Sequence, residues 1–202
     1  MVADAGAHWY DVAQHLTGQR ITRVLADLSS FIKVRKIFST GQTHATKNHR
    51  VRVPDLGMVM CAFENGARGQ FATAAICAGH KNDLTIEICG ARQSLRWGQE
   101  RPNELWIGRR DAPNESLLKD PPLLDESVRH YAALPGGHNE AWPDAFRNLM
   151  RNVLGFIAAG RDPREADEIA FPTFATGHRI ACIVDAIAAS AQAGGRWKAV
   201  QQ

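Results

Sequence analysis

The chain has 202 residues, 45% hydrophobic and 22% charged, a composition typical of a globular domain with a sizeable core. Its 24 Lys and Arg residues against 21 Asp and Glu give a formal net charge of +3, which is too weak a field for a dedicated nucleic-acid binder. No apolar run approaches the roughly 18 residues of a membrane span, and the N-terminus lacks a signal-peptide pattern. We therefore expect a cytoplasmic chain without nucleic-acid or membrane partners.

The four cysteines lie far apart, and no C-x-x-C pair suggests zinc or redox chemistry. Three of them fall within apolar alternating runs. We interpret all four as reduced packing residues, namely Cys61, Cys77, Cys89 and Cys182.

An amphipathic helix is predicted over residues 4–17, with an apolar stripe formed by Trp9, Val12, Ala13 and Leu16. From about residue 20 to residue 108 the apolar period changes to two, which indicates successive β-strands. Asn65-Gly66 favours a type I′ hairpin turn. Because no helical segment separates the strands, they should pair antiparallel.

Both faces of the predicted strands at 58–63 and 69–77 are largely apolar. An antiparallel sheet with one wet face would be more polar than this. We expect helices to cover one face and a second copy of the chain to cover the other, which makes the protein a homo-oligomer.

Residues 110–137 are rich in Pro, Asp and Asn and are predicted to form a long irregular loop. Two helices should follow at about 140–159 and 173–193. Their predicted buried positions are Trp142, Phe146, Leu149, Val153 and Phe156/Ile157 in the first helix, and Ile180/Ala181, Val184, Ile187/Ala188 and Ala191 in the second. The simplest architecture is a single α+β domain over 1–202, with an open, mainly antiparallel sheet and helices on one face.

A polar stripe on the first helix is the clearest candidate site, because Asp4, His8, Asp11 and His15 follow one another at spacings of four, three and four. A carboxylate one turn before a histidine can orient the imidazole and favour proton acceptance near neutral pH. In the alternative interpretation, Asp4 serves the helix dipole and His8 is merely solvated. A metal site is a third possibility, for which only His138 and Glu140 are obvious additional ligands.

The segment Gly136-Gly137-His138 precedes the next helix. Paired glycines permit unusual backbone angles and the close approach of a ligand. A flexible connector with an incidental histidine is the competing interpretation. The basic residues Lys33, Arg35, Lys36, Lys47, Arg50 and Arg52 surround a predicted hairpin and favour a solvated strand face. Glycine-rich phosphate-binding motifs and a G-x-S-x-G nucleophile motif are absent from the sequence.

Taken in order, several motifs resemble those of the glucose–fructose oxidoreductase, inositol dehydrogenase and rhizopine-catabolism (Gfo/Idh/MocA) family. DAGAHWYD at 4–11 with LTG at 16–18 resembles the D-x-G-x-H-x-x-D…L-x-G signature that opens the family's second domain. Further matches are FENGARG at 63–69, IEICG at 86–90, PGGH at 135–138, DAF at 144–146, PTFATG at 172–177 and GRW at 195–197.

The resemblance implies a C-terminal α+β domain that shapes a substrate pocket and an oligomer interface in an NAD(P)-dependent oxidoreductase of sugars, cyclitols or related polyols. It implies that His8 transfers the proton, that Asp4 is its partner or a substrate ligand, and that His138 lies near the substrate. Asp11 would be structural. No metal is implied.

Only three residues precede the signature. The resemblance therefore implies that the dinucleotide-binding domain, with the lysine that completes the catalytic group, has no place in this chain. Two hypotheses follow. In the first, the chain is the substrate-binding and oligomerisation domain of such an oxidoreductase and is not expected to catalyse the reaction alone. In the second, it is a non-catalytic homo-oligomeric binding or assembly module derived from the family.

Overall fold

The computed structural model describes residues 1–38, 43–162, 164 and 169–201. The helices within them are α1 (Ala5–Thr17), α2 (Glu126–Arg129), α3 (Trp142–Ala158) and α4 (Phe174–Gln192), with a 3-10 turn at Pro121–Leu123. The strands are β1 (Ile21–Ser29), β2 (Val34–Phe38), β3 (Ala45–Arg50), β4 (Leu56–Phe63), β5 (Arg68–Ala74), β6 (Thr85–Cys89), β7 (Gln93–Gly98), β8 (Glu104–Arg109), β9 (Glu115–Leu118) and β10 (Lys198–Ala199). The predicted α+β class and antiparallel pairing are confirmed.

The chain divides into two compact units. The first comprises Met1–Gly79 and Phe174–Gln202, and the second comprises His80–Thr173. In the first unit, a four-stranded sheet has the order β10-β1-β4-β5, and β2 and β3 form a separate two-stranded hairpin. In the second unit, β6 to β9 form a meander in sequence order.

Helices α1 and α4 cover one face of the first unit's sheet. On this face the register aligns Val24 with Cys61 and Ala26 with Val59, and all four side chains are buried. Across the strands, alternate side chains point to the opposite face, where Met58 and Met60 are 55% and 48% exposed. The sheet thus has one covered face and one partly apolar open face.

The buried positions of the two flanking helices differ from those predicted. Helix α1 buries Gly6, Tyr10 and Ala13, and Leu16 is 56% exposed. Helix α4 buries Ile180, Ile183, Ala186, Ile187 and Ser190, whereas the predicted Ala181 is exposed. Small residues such as alanine occur at both buried and exposed positions, so they define the edge of an apolar stripe poorly. The rotation of a helix about its axis depends instead on where its large side chains pack.

The hairpin between β4 and β5 is confirmed, but its predicted turn type is wrong. Gly66 has a φ of 90°, and Asn65 stays in the ordinary region of negative φ. The N–H of Phe63 donates to the carbonyl of Ala67 at 3.0 Å, and that of Gly66 donates to the carbonyl of Phe63 at 3.0 Å. The connection is therefore a three-residue loop with one left-handed glycine.

The span predicted as an irregular loop contains β9, the 3-10 turn and α2. β9 was overlooked because it has only four residues, three of them exposed. The predicted burial of α3 is also wrong, because none of its residues is buried and Trp142, Phe146 and Ile157 are exposed. An apolar period shows that a helix face is apolar, but not what covers it.

The cysteines differ from one another in burial. Cys61 is buried in the sheet and packs against Gly69, as the sequence predicts. Burial raises the pKa of its thiol to about 11. Cys77 and Cys89 are exposed, so the packing interpretation is wrong for these two residues.

Candidate functional site

The first turns of α1 present Asp4 and His8 to solvent. They lie four residues apart on a single helix and therefore share a face. Asp4 occupies the N-cap position, but its side chain accepts no capping hydrogen bond. Instead, the N–H of Gly6 donates to the carbonyl of Met1 at 3.1 Å. The Asp4 carboxylate thus makes no capping hydrogen bond, while its place at the helix N-terminus and the exposed His8 are also consistent with the helix-dipole interpretation.

Within the part of the chain that the structure describes, neither the Asp4 carboxylate nor the His8 imidazole forms a hydrogen bond or an ion pair with another side chain. Two chemically versatile groups on one exposed helix face can both contact the same small molecule. A hydroxyl of a polyol suits this arrangement, since an imidazole can exchange a proton with it and a carboxylate can accept a hydrogen bond from it.

The orientation of this face is set by Tyr10. Its ring is completely buried, at 4.7 Å between centroids from Phe71 and 6.1 Å from Trp9. A Cβ atom on Gly6 would lie 2.6 Å from the Tyr10 hydroxyl oxygen, so only glycine leaves room for the ring. Because Gly6 and Tyr10 face inward, positions 4 and 8 are directed outward. The sequence analysis missed this role of Gly6, which a glycine four residues before an apolar aromatic could have indicated.

The polar stripe continues along α1 with Asp11, which is half-buried, and His15, which is exposed. Among the described residues, no group of three or more His, Cys, Asp or Glu side chains is arranged to hold a metal ion. The observed geometry therefore adds nothing to the metal interpretation of this stripe.

His138 lies in the second unit, on the loop that leads to α3. The φ of Gly137 is 78°, the left-handed region that glycine tolerates best. The N–H of Gly136 donates to Asp120 Oδ1 at 3.2 Å, and a Cβ atom on Gly136 would lie 2.9 Å from that carboxyl group. Both glycines are thus required for the backbone of this loop, while the His138 side chain is exposed.

The side chain of Lys119 is hydrogen-bonded to the same loop. Its Nζ donates to the carbonyls of Leu134 and His138, both at 2.9 Å, and to Glu140 Oε2 at 2.8 Å. The side chains of Lys119 and Glu140 are only 14% and 10% exposed. Three bonds from one ammonium group, spread over seven residues, fix the loop, so the flexible-connector interpretation of this segment is wrong.

Glu140 completes this anchor. Its Oε1 accepts a hydrogen bond from the N–H of Ala133 at 2.9 Å, and its backbone N–H and carbonyl pair with the side chain of Asn103 at 3.0 and 2.9 Å. Burial raises the pKa of the Glu140 carboxyl, but the hydrogen bonds from Lys119 and Ala133 outweigh it and hold that pKa below its usual value. Sequence analysis missed Lys119 and Asn103, since both lie far from the loop in the chain.

Asp4 and His8 are therefore one helical turn apart in the first unit, and His138 lies on a hydrogen-bonded loop of the second unit.

Within the described residues, no helix is long and apolar enough to cross a membrane.

Comparison with known proteins places the chain beside oxidoreductases. The uncharacterized oxidoreductase YfiI of Bacillus subtilis is 24% identical over 200 residues, covering 98% of this chain and 47% of the relative. Levoglucosan dehydrogenase of Pseudarthrobacter phenanthrenivorans is 29% identical over 202 residues, covering 94% of this chain and 49% of the relative. The chain thus spans about half the length of the curated relatives it matches.

Solved structures show the same fold. Levoglucosan dehydrogenase in complex with NADH and L-sorbose matches with a TM-score of 0.80 at 26% identity, over 98% of this chain and 49% of that one. An oxidoreductase domain protein from Kribbella flavida matches with a TM-score of 0.82 at 26% identity, over the whole of this chain and 51% of that one. Residues 1–96 match the family model of the GFO/IDH/MocA C-terminal domain, which agrees with the resemblance of the sequence motifs to the Gfo/Idh/MocA family.

Proposed function

We propose that this chain provides the substrate-binding and oligomerisation domain of an NAD(P)-dependent oxidoreductase that acts on a CH–OH centre of a sugar, cyclitol or related polyol. The observation that carries the proposal is the pair of side chains Asp4 and His8 on one exposed face of α1, which form no side-chain hydrogen bond or ion pair within the described residues. The similarity to levoglucosan dehydrogenase, and to a levoglucosan dehydrogenase structure in complex with NADH and L-sorbose, supports this substrate class.

His8 takes the proton from the hydroxyl that is oxidised, or returns it in the reverse direction. Asp4, one turn earlier, orients the imidazole or accepts a hydrogen bond from a neighbouring hydroxyl of the same substrate. A substrate-binding role for His138, on the second unit's loop anchored by Lys119, is proposed separately and rests on the family resemblance alone.

The hydride acceptor is NAD or NADP by family, but the described residues do not fit a dinucleotide. All their strand pairings are antiparallel, whereas the dinucleotide fold needs parallel strands joined by helices. The glycine-rich fingerprint is also absent from the sequence. We therefore assign no cofactor contact to this chain and limit its role to holding the polyol and moving its proton.

The test compares His8→Ala and Asp4→Asn with His15→Ala, which changes an exposed histidine two turns further along the same helix. In a protein that joins this chain to a dinucleotide-binding half, turnover of a polyol such as myo-inositol or L-sorbose is measured with NAD and NADP. We expect His8→Ala to lower kcat by about 10² or more, and His15→Ala to leave it unchanged. Equal kcat values for all variants would refute the role of His8.

Calorimetry with the same polyols on the chain as it stands separates binding from chemistry. Asp4→Asn should weaken polyol binding, with His15→Ala again as the control. Polyol binding and self-association without turnover in the joined protein would instead identify the non-catalytic module.

A further inference from the structure

A groove opens at one end of the second unit's meander, where the β6–β7 turn and the β8–β9 turn lie side by side. Its volume is about 480 Å³, and it is open to solvent. We call it the arginine groove, and its lining residues are Arg92, Gln93, Arg109, Arg110, Asp111 and Ala112. All six are exposed. The groove belongs to one unit and includes neither the helix that carries His8 nor the loop that carries His138.

The β6–β7 turn is fixed by hydrogen bonds. The N–H of Gly90 donates to the carbonyl of Gln93 at 2.9 Å, which closes the turn. From the neighbouring strand, the N–H of Arg110 donates to the carbonyl of Arg92 at 3.3 Å, and the Nε of Arg110 donates to the carbonyl of Ala91 at 2.7 Å. The guanidinium group of Arg110 is therefore held against the turn by one edge, and its two terminal nitrogens can still donate to another acceptor.

The β8–β9 turn is fixed by Arg109. Its Nε and Nη2 donate to the two carboxylate oxygens of Glu115 at 2.9 and 3.0 Å, and its backbone N–H donates to Asn114 Oδ1 at 3.0 Å. A bidentate pair of this kind holds both side chains in one geometry. Arg109 thus shapes the groove, but Glu115 already balances its charge.

Arg92 and Arg110 bring like charges together. The strand register pairs Gln93 with Arg109, so the next pair outward places Arg92 directly opposite Arg110. Like charges in this position destabilise an antiparallel pair. Arginines elsewhere in the unit have a carboxylate, as Arg101 has Glu104. Among the described residues, neither Arg92 nor Arg110 forms an ion pair with one, so an anion between them would relieve the repulsion.

A nucleic acid is a poor fit for this surface. Trp106 is the large aromatic residue on the same face of the meander, since it alternates with Gly108 and Arg110. Its ring lies across Gly108, and the guanidinium of Arg96 lies 5.4 Å from the ring centroid on the other side. Neither face of this ring is open to stack on a base, as a nucleic-acid platform would require.

The donors of the groove favour a small anion with several oxygen atoms. The guanidinium groups of Arg92 and Arg110 and the side-chain amide of Gln93 all present N–H donors, and the first two carry one positive charge each. A phosphate group has three or four acceptor oxygens and a charge of roughly −1.5 to −2 near neutral pH. Asp111 repels every anion, so a second negative charge on the ligand is needed to gain from both arginines.

We propose that the arginine groove binds a phosphate group, with Arg92, Gln93 and Arg110 as its donors. The phosphate is either the free inorganic ion or part of a small phosphate ester, since both present the same oxygens. This site is separate from Asp4 and His8 and does not depend on the proposed oxidoreductase function.

An NMR titration locates the binding. The 15N-labelled chain is titrated with inorganic phosphate at constant pH and constant ionic strength, with sodium chloride as the balancing salt. We expect saturable shifts of the backbone amides of residues 91–93 and 109–112 and of the side-chain amide of Gln93. Shifts spread evenly over exposed basic residues, or reproduced by sodium chloride alone, would overturn the proposal.

Three variants test the donors. Arg92→Gln removes a charge from an exposed side chain that forms no hydrogen bond or ion pair in the described structure, so folding should be unaffected. We expect it to weaken phosphate binding about threefold or more, and Asp111→Asn to strengthen it. Lys81→Gln removes one exposed charge elsewhere in the same unit and should have little effect. Equal weakening by Arg92→Gln and Lys81→Gln would overturn the proposal.

A further comparison distinguishes the two sources of the phosphate. Glucose 6-phosphate, inorganic phosphate and glucose are titrated in the same way. Tighter binding of glucose 6-phosphate than of inorganic phosphate would support an ester, and the opposite order would support the free ion. Glucose that shifts the groove residues as strongly as glucose 6-phosphate would show that the phosphate group is not recognised and would overturn the proposal.

Discussion

The hydroxyl oxygen of Tyr10 occupies the space that a side chain on Gly6 would need, 2.6 Å from the position of a Cβ atom. This contact fixes the rotation of α1 about its axis. It directs Gly6 and Tyr10 into the core and leaves Asp4 and His8 in solvent.

We expect Gly6→Ala to destabilise the protein by about 1–3 kcal/mol, because the methyl group forces the buried Tyr10 ring to move. Gly155→Ala is the matched control, since a Cβ atom there meets nothing within 4 Å in the last turn of α3. Alanine should stabilise that exposed helical site by up to about 1 kcal/mol. Urea unfolding of both variants measures the difference, and equal stabilisation by both would contradict the role of Gly6.

Removal of the ammonium group in Lys119→Ala should cost about 1–3 kcal/mol, because Glu140 and the carbonyls of Leu134 and His138 lose a donor in a largely buried place. Hydrogen exchange at residues 133–140 should accelerate at the same time. Arg101→Ala breaks the exposed pair with Glu104 and should cost no more than about 1 kcal/mol. A loop that exchanges equally slowly in both variants would rule out Lys119 as its anchor.

The stability contributed by Asp55 should depend on pH. Hydrogen bonds from the backbone of Ile32 and Phe31 hold the pKa of its carboxyl below the ordinary value, against the effect of desolvation. The contribution is therefore present above the unfolded pKa of about 3.9, and it is lost as the pH falls through the folded pKa. Asp55→Asn should lower Tm at pH 7, and the difference should disappear in strong acid. Asp27→Asn, which changes an exposed residue of β1, is the control. A difference in Tm between Asp55→Asn and the unmodified protein that persists at pH 2 would contradict the prediction.

If a second copy covers the open sheet face, Met60→Lys should weaken self-association about tenfold or more, because it places a charge in the middle of an apolar contact. Leu16→Lys introduces the same charge at a comparably exposed site on α1 and should have little effect. Sedimentation velocity compares the two variants. Equal self-association of the two variants would contradict coverage of this face by a second copy.

Much of the fold was predictable from local pattern. Alternation placed β4 within a few residues of its observed bounds, and the helices predicted at about 140–159 and 173–193 are observed as α3 and α4. Burial was harder to predict, because it depends on which element covers a face. The exposed stripe of α3 and the exposed Leu16 show this limit.

For the candidate site, too, local features could be predicted from the sequence and long-range contacts could not. The spacing of Asp4 and His8 is a local property and could be taken from the sequence. The anchoring of the His138 loop by Lys119 and Asn103 could not, since these residues are separated from Glu140 by 21 and 37 positions. Long-range polar contacts of this kind leave no periodic signal.

Ser190 is completely buried, and its hydroxyl links the N–H of Ala26 at 2.9 Å to the carbonyl of Arg196 at 2.6 Å. This bond joins positions that are 164 residues apart in the chain. The first unit is therefore interrupted by the whole of the second and cannot complete its sheet until α4 and β10 have been synthesised. The second unit is contiguous, so the pairing of its strands β6 to β9 needs no segment synthesised after it.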